Sequence, residues 1–128
     1  MITSPVAIVI PTLNEERFIE KCLQSVFDQV YPSDMMDIMV VDGGSSDRTK
    51  CIVAEIARMH DNLRMLDNPL KIQAAAFNIG VKESSAPIII RLDAHAYYYP
   101  DYIGLCVSRL LSDACSGNVG GRCLILPS

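Results

Sequence analysis

The chain has 128 residues, half of them apolar, and a formal net charge of -4. That length suits one compact domain with a continuous core, and the mild acidity supplies no basic field to gather nucleic acid or an anionic membrane over the whole surface. No apolar run reaches the roughly 20 residues of a membrane span, and Met1 to Pro5 lacks the basic flank and apolar stretch of a signal peptide, so the expected setting is cytoplasmic.

The run Val6-Ala7-Ile8-Val9-Ile10 is short, continuous and β-branched and is closed by Pro11, the pattern of a strand buried on both faces. Asn14 is placed to cap a helix with Glu15 and Glu16 in its first turn. Phe18, Ile19, Cys22, Leu23, Val26 and Phe27 then recur at helical spacing until Tyr31-Pro32. A second strand, Ile38 to Val41, leads into the polar turn Asp42-Gly43-Gly44-Ser45-Ser46-Asp47. From about Arg48 a helix follows, with Cys51, Ile52, Ile56 and Met59 facing inward. A weaker strand over Leu63 to Leu66 passes through Asn68-Pro69 to a helix carrying Ile72, Ala75, Ala76 and Ile79, in which Gly80 is either a close-packing site or the stop. Pro87 opens the strand Ile88 to Leu92. Asp93-Ala94-His95 and an aromatic loop to Pro100 follow, then a helix from Asp101 with Tyr102, Leu105, Cys106, Arg109 and Leu110. Val119 to Ile125 reads as a fifth strand, with Gly120 and Gly121 marking a bulge or a close backbone approach. Strands alternating with helices at this pace predict an α/β domain with an open, mostly parallel sheet, right-handed crossovers and helices on both faces. The five cysteines, Cys22, Cys51, Cys106, Cys115 and Cys123, show no zinc or redox spacing and read as reduced thiols of the core.

In an open parallel sheet the ligand crevice lies beyond the carboxyl ends of the strands. Three polar turns would converge on that edge: Pro11 to Glu16, Asp42 to Asp47, and Asp93-Ala94-His95. Taken singly, the first two are explained as helix caps and turns. The third sets an acid and an imidazole two residues apart after a buried strand, where both can face a divalent cation.

Together, the run Val6 to Glu16, the block Val40-Val41-Asp42-Gly43-Gly44-Ser45-Ser46-Asp47-Arg48-Thr49 and the segment Asn78-Ile79-Gly80 resemble the family 2 glycosyltransferases of the GT-A fold, a Rossmann-like arrangement, over nearly the whole chain. The segment Arg91-Leu92-Asp93-Ala94-His95-Ala96 further resembles the branch of succinoglycan-type exopolysaccharide glucosyltransferases, with Asp93-Ala94-His95 standing where the Asp-x-Asp motif is found. The resemblance implies that residues 1–128 form a single nucleotide-sugar-binding domain, the amino-terminal part of a longer enzyme, truncated after about five strands. It implies inverting transfer of a sugar, glucose in that branch, from a UDP-sugar to a polysaccharide or lipid-linked acceptor. The acceptor would be held by the part that follows, and the whole enzyme would sit at the inner face of the membrane.

Residue by residue, the resemblance places Pro11, Thr12 and Asn14 around base and ribose, Glu15 on a ribose hydroxyl, and Asp42, with Gly44 beside it, at the uracil edge. Carboxylates suit such groups because they only accept hydrogen bonds when ionised. Lys71 is a charge partner for the phosphates or else a solvated surface lysine, and Asn78 lies by the uridine or phosphates. Asp93 and Ala94 would hold ribose or sugar, and His95 with Asp93 a divalent metal, Mn²⁺ or Mg²⁺. An imidazole at the third position, where a carboxylate normally stands, favours Mn²⁺. The general base of the family follows a later sheet segment, past Ser128, so the expectation for this chain is donor binding with little or no transfer. A core face left bare by the missing part would favour a homo-oligomer. A dinucleotide-binding dehydrogenase or a P-loop enzyme would need a glycine-rich phosphate loop, and Pro11-Thr12-Leu13-Asn14-Glu15-Glu16 has no glycine. The remaining alternative is a noncatalytic nucleotide-sugar-binding or interaction module with the same crevice.

Overall fold

The computed structural model describes residues 4–112 and 122–125. In chain order it contains β1 (Val6–Thr12), α1 (Ile19–Phe27), β2 (Met36–Asp42), α2 (Thr49–Ala57), β3 (Leu63–Asp67), α3 (Gln73–Glu83), β4 (Ile88–Arg91), α4 (Tyr102–Ser112) and β5 (Arg122–Ile125). The strands form one sheet in the order β3-β2-β1-β4-β5. Every neighbouring pair is parallel.

Alternation along the strands sorts their side chains onto two faces. Val6, Ile8, Ile10, Ile38, Val40, Ile88 and Ile90 pack against Ile19, Leu23 and Val26 of α1, Val53 of α2, and Ile103 and Val107 of α4. Ala7, Val9, Met39, Val41 and Ile89 face the other way, onto Ala76 of α3. Both faces being covered is why the strands read as continuous apolar runs. A fully buried Val, Ile or Leu side chain contributes about 1.5–3 kcal/mol, so β1, buried from Val6 to Ile10, is the strand the fold can least spare.

Gly80 proves to be a close-packing site inside α3. A Cβ there would lie 2.4 Å from Val9 Cγ2. With Ala76 one turn earlier, it lets the backbone of α3 approach β1 directly.

The elements depart from the sequence pattern in several places. β1 does not close at Pro11 but runs on to Thr12, and β2 starts at Met36. Asn14 does not cap α1, which begins at Ile19 after Phe18 with no side-chain cap. Instead, Glu15 O accepts from the amides of Phe18 and Ile19 in a tight lead-in turn. In α2 the inward residues are Thr49 and Val53, with Ile52 and Ile56 half-buried. Cys51 is exposed, and Met59, past the helix end, is 81% exposed. Leu105 and Ile72 also face out, since Ile103 and Val107 take the core side of α4 and Ile72 precedes α3. Cys22 and Cys106 are buried free thiols as expected. Cys115 and residues 119–121, with their two glycines, lie outside the described residues. Among the described residues no helix is long and apolar enough to cross a membrane.

Gly80→Ala gives a sharp check on the packing of α3 against β1. At an open helical position the change would stabilise by about 1 kcal/mol; here overpacking against Val9 is expected to reverse the sign and cost about 1–3 kcal/mol in urea unfolding. A stabilised variant would mean that the two elements are not in close contact.

Candidate functional site

β1 pairs with β2 along its whole length, to Thr12 opposite Asp42, but with β4 only as far as Val9 opposite Arg91. One further bond, from Leu92 N to Val9 O at 3.0 Å, ends that ladder. Beyond it β1 and β4 part, at the place where the chain reverses its direction of travel across the sheet, which is where open α/β sheets form ligand crevices. Pro11 lies past the last β4 pairing, where its missing N–H removes no bond from that ladder.

Two cavities that share Pro11, Glu15 and Gln73 lie at this edge, one on the β2 side of the end of β1 and the other in the gap toward β4. One, of about 220 Å³, is also lined by Thr12, Asn68 and Lys71. The other, of about 250 Å³, is completed by Arg91, Asp93, Ala94 and His95. A larger hollow of about 320 Å³ lies at the opposite edge, between the strand starts, with Asp37 and Glu83 in its wall. Those acids are already paired with Arg64 at 3.0 and 3.4 Å, so the switch-point crevice carries the available chemistry.

The first two polar turns are knitted to each other. Asn14, in the left-handed region at φ 57 that asparagine tolerates, donates its amide to Ser45 Oγ at 2.8 Å. Its Oδ1 accepts from the amides of Ser46 and Asp47 at 2.8 and 3.3 Å. The Glu15 amide donates to Thr49 Oγ1 at 2.8 Å. Asn14 is thus the joint between two loops. Asp42, only 1% exposed, accepts at Oδ1 from Thr12 Oγ1 (2.8 Å) and Ser45 Oγ (2.6 Å), and at Oδ2 from the amides of Gly44 (2.9 Å) and Ser45 (2.8 Å). Burial alone would raise its pKa, but the Ser45 hydroxyl and amide, with Thr12 and Gly44, outweigh it and hold the carboxyl below its ordinary range. With its acceptor capacity engaged, and lining neither cavity, Asp42 shapes the turn in which Gly44 adopts φ 92.

Lys71 is drawn into the site by backbone geometry. It too has a positive φ, 63, a conformation costing of order 1–3 kcal/mol that persists where the surroundings over-determine it. Its side chain runs over Gly44, with Nζ 3.8 Å from where a Cβ there would stand. Lys71 is nonetheless exposed, so it lies at the rim of the smaller cavity and both its readings, charge partner and solvated lysine, stand. Asn78, exposed on α3, lines neither cavity.

Sequence reasoning missed Asn68, Gln73 and Arg91. Asn68 is 4% exposed. Its amide donates to Asp42 O at 2.8 Å and its Nδ2 to Ile72 O at 2.9 Å, which fixes the side-chain orientation. Its Oδ1 is buried with no hydrogen-bond partner, and the residue lines the smaller cavity. Such an orphan acceptor calls for an explanation, and a ligand N–H supplies one. The signal was present, since Asn68 follows the third strand on the same edge as the other turns. Gln73 Oε1 accepts from Arg91 Nη1 at 2.8 Å and links α3 to β4 beside the larger cavity.

The Asp93 backbone is clamped. Its amide donates to Tyr98 Oη at 2.8 Å, and its carbonyl accepts from Tyr98 Oη at 3.3 Å and Cys22 Sγ at 3.5 Å. Burial pushes both the Tyr98 phenol and the Cys22 thiol up to about 12, so both remain protonated donors at neutral pH. His95 returns its amide to Asp93 Oδ1 at 2.8 Å, and its ring packs on Phe18 with centroids 4.6 Å apart. His95 Nδ1 lies 3.0 Å from Glu15 Oε1 and 3.5 Å from Asp93 Oδ1. Burial foremost raises the Glu15 pKa; His95 opposes this, while Asp93 and Asp47 add to it.

Among the described residues no group of three or more His, Cys, Asp or Glu side chains forms a metal cage. Asp93 and His95 offer one oxygen and one nitrogen, and the neighbouring Glu15 Oε1 is buried without a directed hydrogen bond. This donor set fits a divalent ion that takes its remaining ligands from phosphate oxygens and water, not one held by protein alone.

A layered α/β sheet with a polar crevice at its switch point is the architecture of nucleotide-binding domains. The chain superposes on a mannosyltransferase from Pyrobaculum calidifontis, solved in complex with GDP-Man and Mn²⁺, with a TM-score of 0.80 and 28% identity over 86% of this chain and 33% of that one; the fold is GT-A. The family model described as Glycosyl transferase family 2 matches residues 7–125. The chain belongs to that family. It is 37% identical over 100 residues to a dolichyl N-acetyl-alpha-D-glucosaminyl phosphate 3-beta-D-2,3-diacetamido-2,3-dideoxy-beta-D-glucuronosyltransferase of Methanococcus voltae, covering 77% of this chain and 31% of that protein. It is 38% identical over 109 residues to the succinoglycan biosynthesis protein ExoA of Rhizobium meliloti, covering 84% and 32%. The chain therefore spans about a third of the length of these relatives.

Asp42→Asn is expected to lower stability by about 1–3 kcal/mol, because an amide nitrogen cannot accept where the carboxylate did. The Asp42 pKa is depressed in the folded state from its ordinary 3.8. The native advantage is therefore full above that value and shrinks as pH falls through the folded pKa. Urea unfolding of both proteins between pH 7 and pH 2 checks this. A constant gap across that range would show that the Asp42 charge is not what the turn depends on.

Proposed function

We propose that this chain is the donor-binding part of an inverting glycosyltransferase, and that it holds a UDP-sugar, UDP-glucose in the first instance, across the gap between β1 and β4. The observation that carries the reading is the pair of neighbouring cavities that share Pro11, Glu15 and Gln73 at the end of β1, one lined by Asn68 with its orphan acceptor and the other by Asp93 and His95. The smaller cavity takes the nucleoside. Pro11 and Thr12 form its wall, and Asn68 Oδ1 accepts from the imide N–H of uracil, the task the family resemblance assigns to Asp42. Lys71 and Arg91 supply positive charge on either side of the diphosphate, and Ala94 walls the sugar end. Asn14, Asp42 and Gly44 act through the loops they shape.

Transfer requires a leaving diphosphate and an activated acceptor hydroxyl on opposite faces of the anomeric carbon. Asp93 and His95 are the residues that would hold a divalent ion, Mn²⁺ by the preference of an imidazole-containing donor set; when bound, such an ion supplies Lewis acidity toward the departing diphosphate. The clamp of Tyr98 and Cys22 on the Asp93 backbone keeps that carboxylate in place without reorganisation. The general base and the acceptor, a polysaccharide or lipid-linked sugar, are assigned to the rest of the enzyme. A dolichyl-phosphate-linked sugar in the name of the Methanococcus relative and succinoglycan in that of the Rhizobium relative support an acceptor of that kind.

Calorimetric titration of the metal-stripped protein with UDP-glucose, UDP, GDP and GDP-mannose, with and without Mn²⁺, tests this. Uridine compounds are expected to bind best and to gain at least about tenfold from Mn²⁺. His95→Ala should abolish the gain, and Asn68→Ala should weaken uridine binding by about 1–2 kcal/mol. Tighter binding of the guanosine compounds would overturn the base assignment; no nucleotide binding by folded protein would overturn the donor-site reading.

A further inference from the structure

Glu15 lies on the loop after β1 and His95 on the loop after β4, and the gap between those strands brings their side chains together. Nδ1 of His95 stands 3.0 Å from Glu15 Oε1, closer than its 3.5 Å from Asp93 Oδ1. The Glu15 carboxylate is 13% exposed, and Oε1 is buried without a hydrogen bond. The distance is within the reach of a hydrogen bond. A buried carboxylate oxygen is costly to leave without a donor, and the imidazole beside it is a donor whenever Nδ1 carries the proton. The Glu15 backbone is fixed by its amide bond to Thr49 Oγ1 and by its carbonyl, which accepts from Phe18 and Ile19. The Phe18 ring packs on the imidazole, so one residue anchors both partners.

We infer that Glu15 is a positioning residue for His95. Its carboxylate accepts from Nδ1–H, sets the ring tautomer and so leaves the Nε2 lone pair as the metal ligand. A histidine that binds metal through one nitrogen and a carboxylate through the other is both oriented and made more basic. This departs from the ribose contact that the family resemblance suggests for Glu15, and it rests on the reading of Asp93 and His95 as the metal site. In this arrangement the first loop does not touch the ion; it aims the side chain that does.

Two measurements test the inference. The long-range ¹⁵N–¹H spectrum of neutral His95, taken in the metal-free protein above pH 8, is expected to show the proton on Nδ1, and to show it on Nε2 in Glu15→Ala. Mn²⁺ affinity in the presence of saturating UDP, read from the paramagnetic resonance of free Mn²⁺, is expected to fall about 10–100-fold in Glu15→Ala. Glu15→Gln, which keeps an acceptor oxygen, should recover much of the loss. An Nε2–H tautomer in the parent protein overturns the inference, as does an unchanged Mn²⁺ affinity in Glu15→Ala when His95→Ala loses it. If His95→Ala itself leaves Mn²⁺ affinity unchanged, the metal-site reading fails first and the inference with it.

Discussion

Past Val9 the central strand of the sheet has a partner on one side only, and the site depends on that asymmetry. Up to Val9, β1 is bonded to β2 and β4 together and buried on both faces. From there β2 continues alongside it to Asp42 while β4 turns away through Leu92 and Asp93. The sheet thus opens a slot at its carboxyl edge with rigid walls on both sides. Pro11 sits in the slot without cost to the β4 ladder, and both cavities share it. Gly80 sustains the arrangement from beneath, since it lets α3 rest directly on Val9 at the last doubly paired position.

The loops around the slot are held by polar bonds that leave little to a ligand. Asp42 is saturated, and Asn14 ties the first loop to the second. Asn68, whose amide oxygen is buried without a partner, lines the smaller cavity, and the side chains of Glu15, Asp93 and His95 line the larger. Two acids near the path of a diphosphate would repel it, so the larger cavity is suited to a polyanion only together with a cation. Bound ions commonly dominate local electrostatics in phosphate sites, and the proposed cation would answer these two acids. Lys71 and Arg91 offset part of that charge from either end.

Much of the plan was legible in the sequence because the main strands are continuous β-branched runs followed by polar turns; the parallel sheet covered on both faces and the edge the turns share follow from that pattern, while the order of the strands needed the structure. The inward face of α2 was misread because a helix of only nine residues gives periodicity too little length to separate Val53 from Cys51 and Met59. The role of Asn14 was hidden because its partners lie 31 to 33 residues away, and local reasoning sees only an adjacent helix to cap. The four donors around Asp42 were likewise invisible in the sequence, because they come together only when the turn after β2 closes against Thr12. Asn68 looked like a turn former before Pro69, which it is; its other task depends on burial that only the fold creates. The pairing of Glu15 with His95 joins two loops from distant parts of the chain, and no spacing rule could have linked them.

The most direct test of the central claim, that the nucleotide and its cation meet between β1 and β4, is to map Mn²⁺ by paramagnetic broadening of amide resonances in the ¹⁵N-labelled protein with UDP present. The account predicts that signals of residues 12–15 and 91–95 vanish first and that those of residues 34–37 and 83–86, at the opposite edge of the sheet, persist. Broadening centred on that opposite edge, or none above the level seen with Mn²⁺ alone, would contradict it.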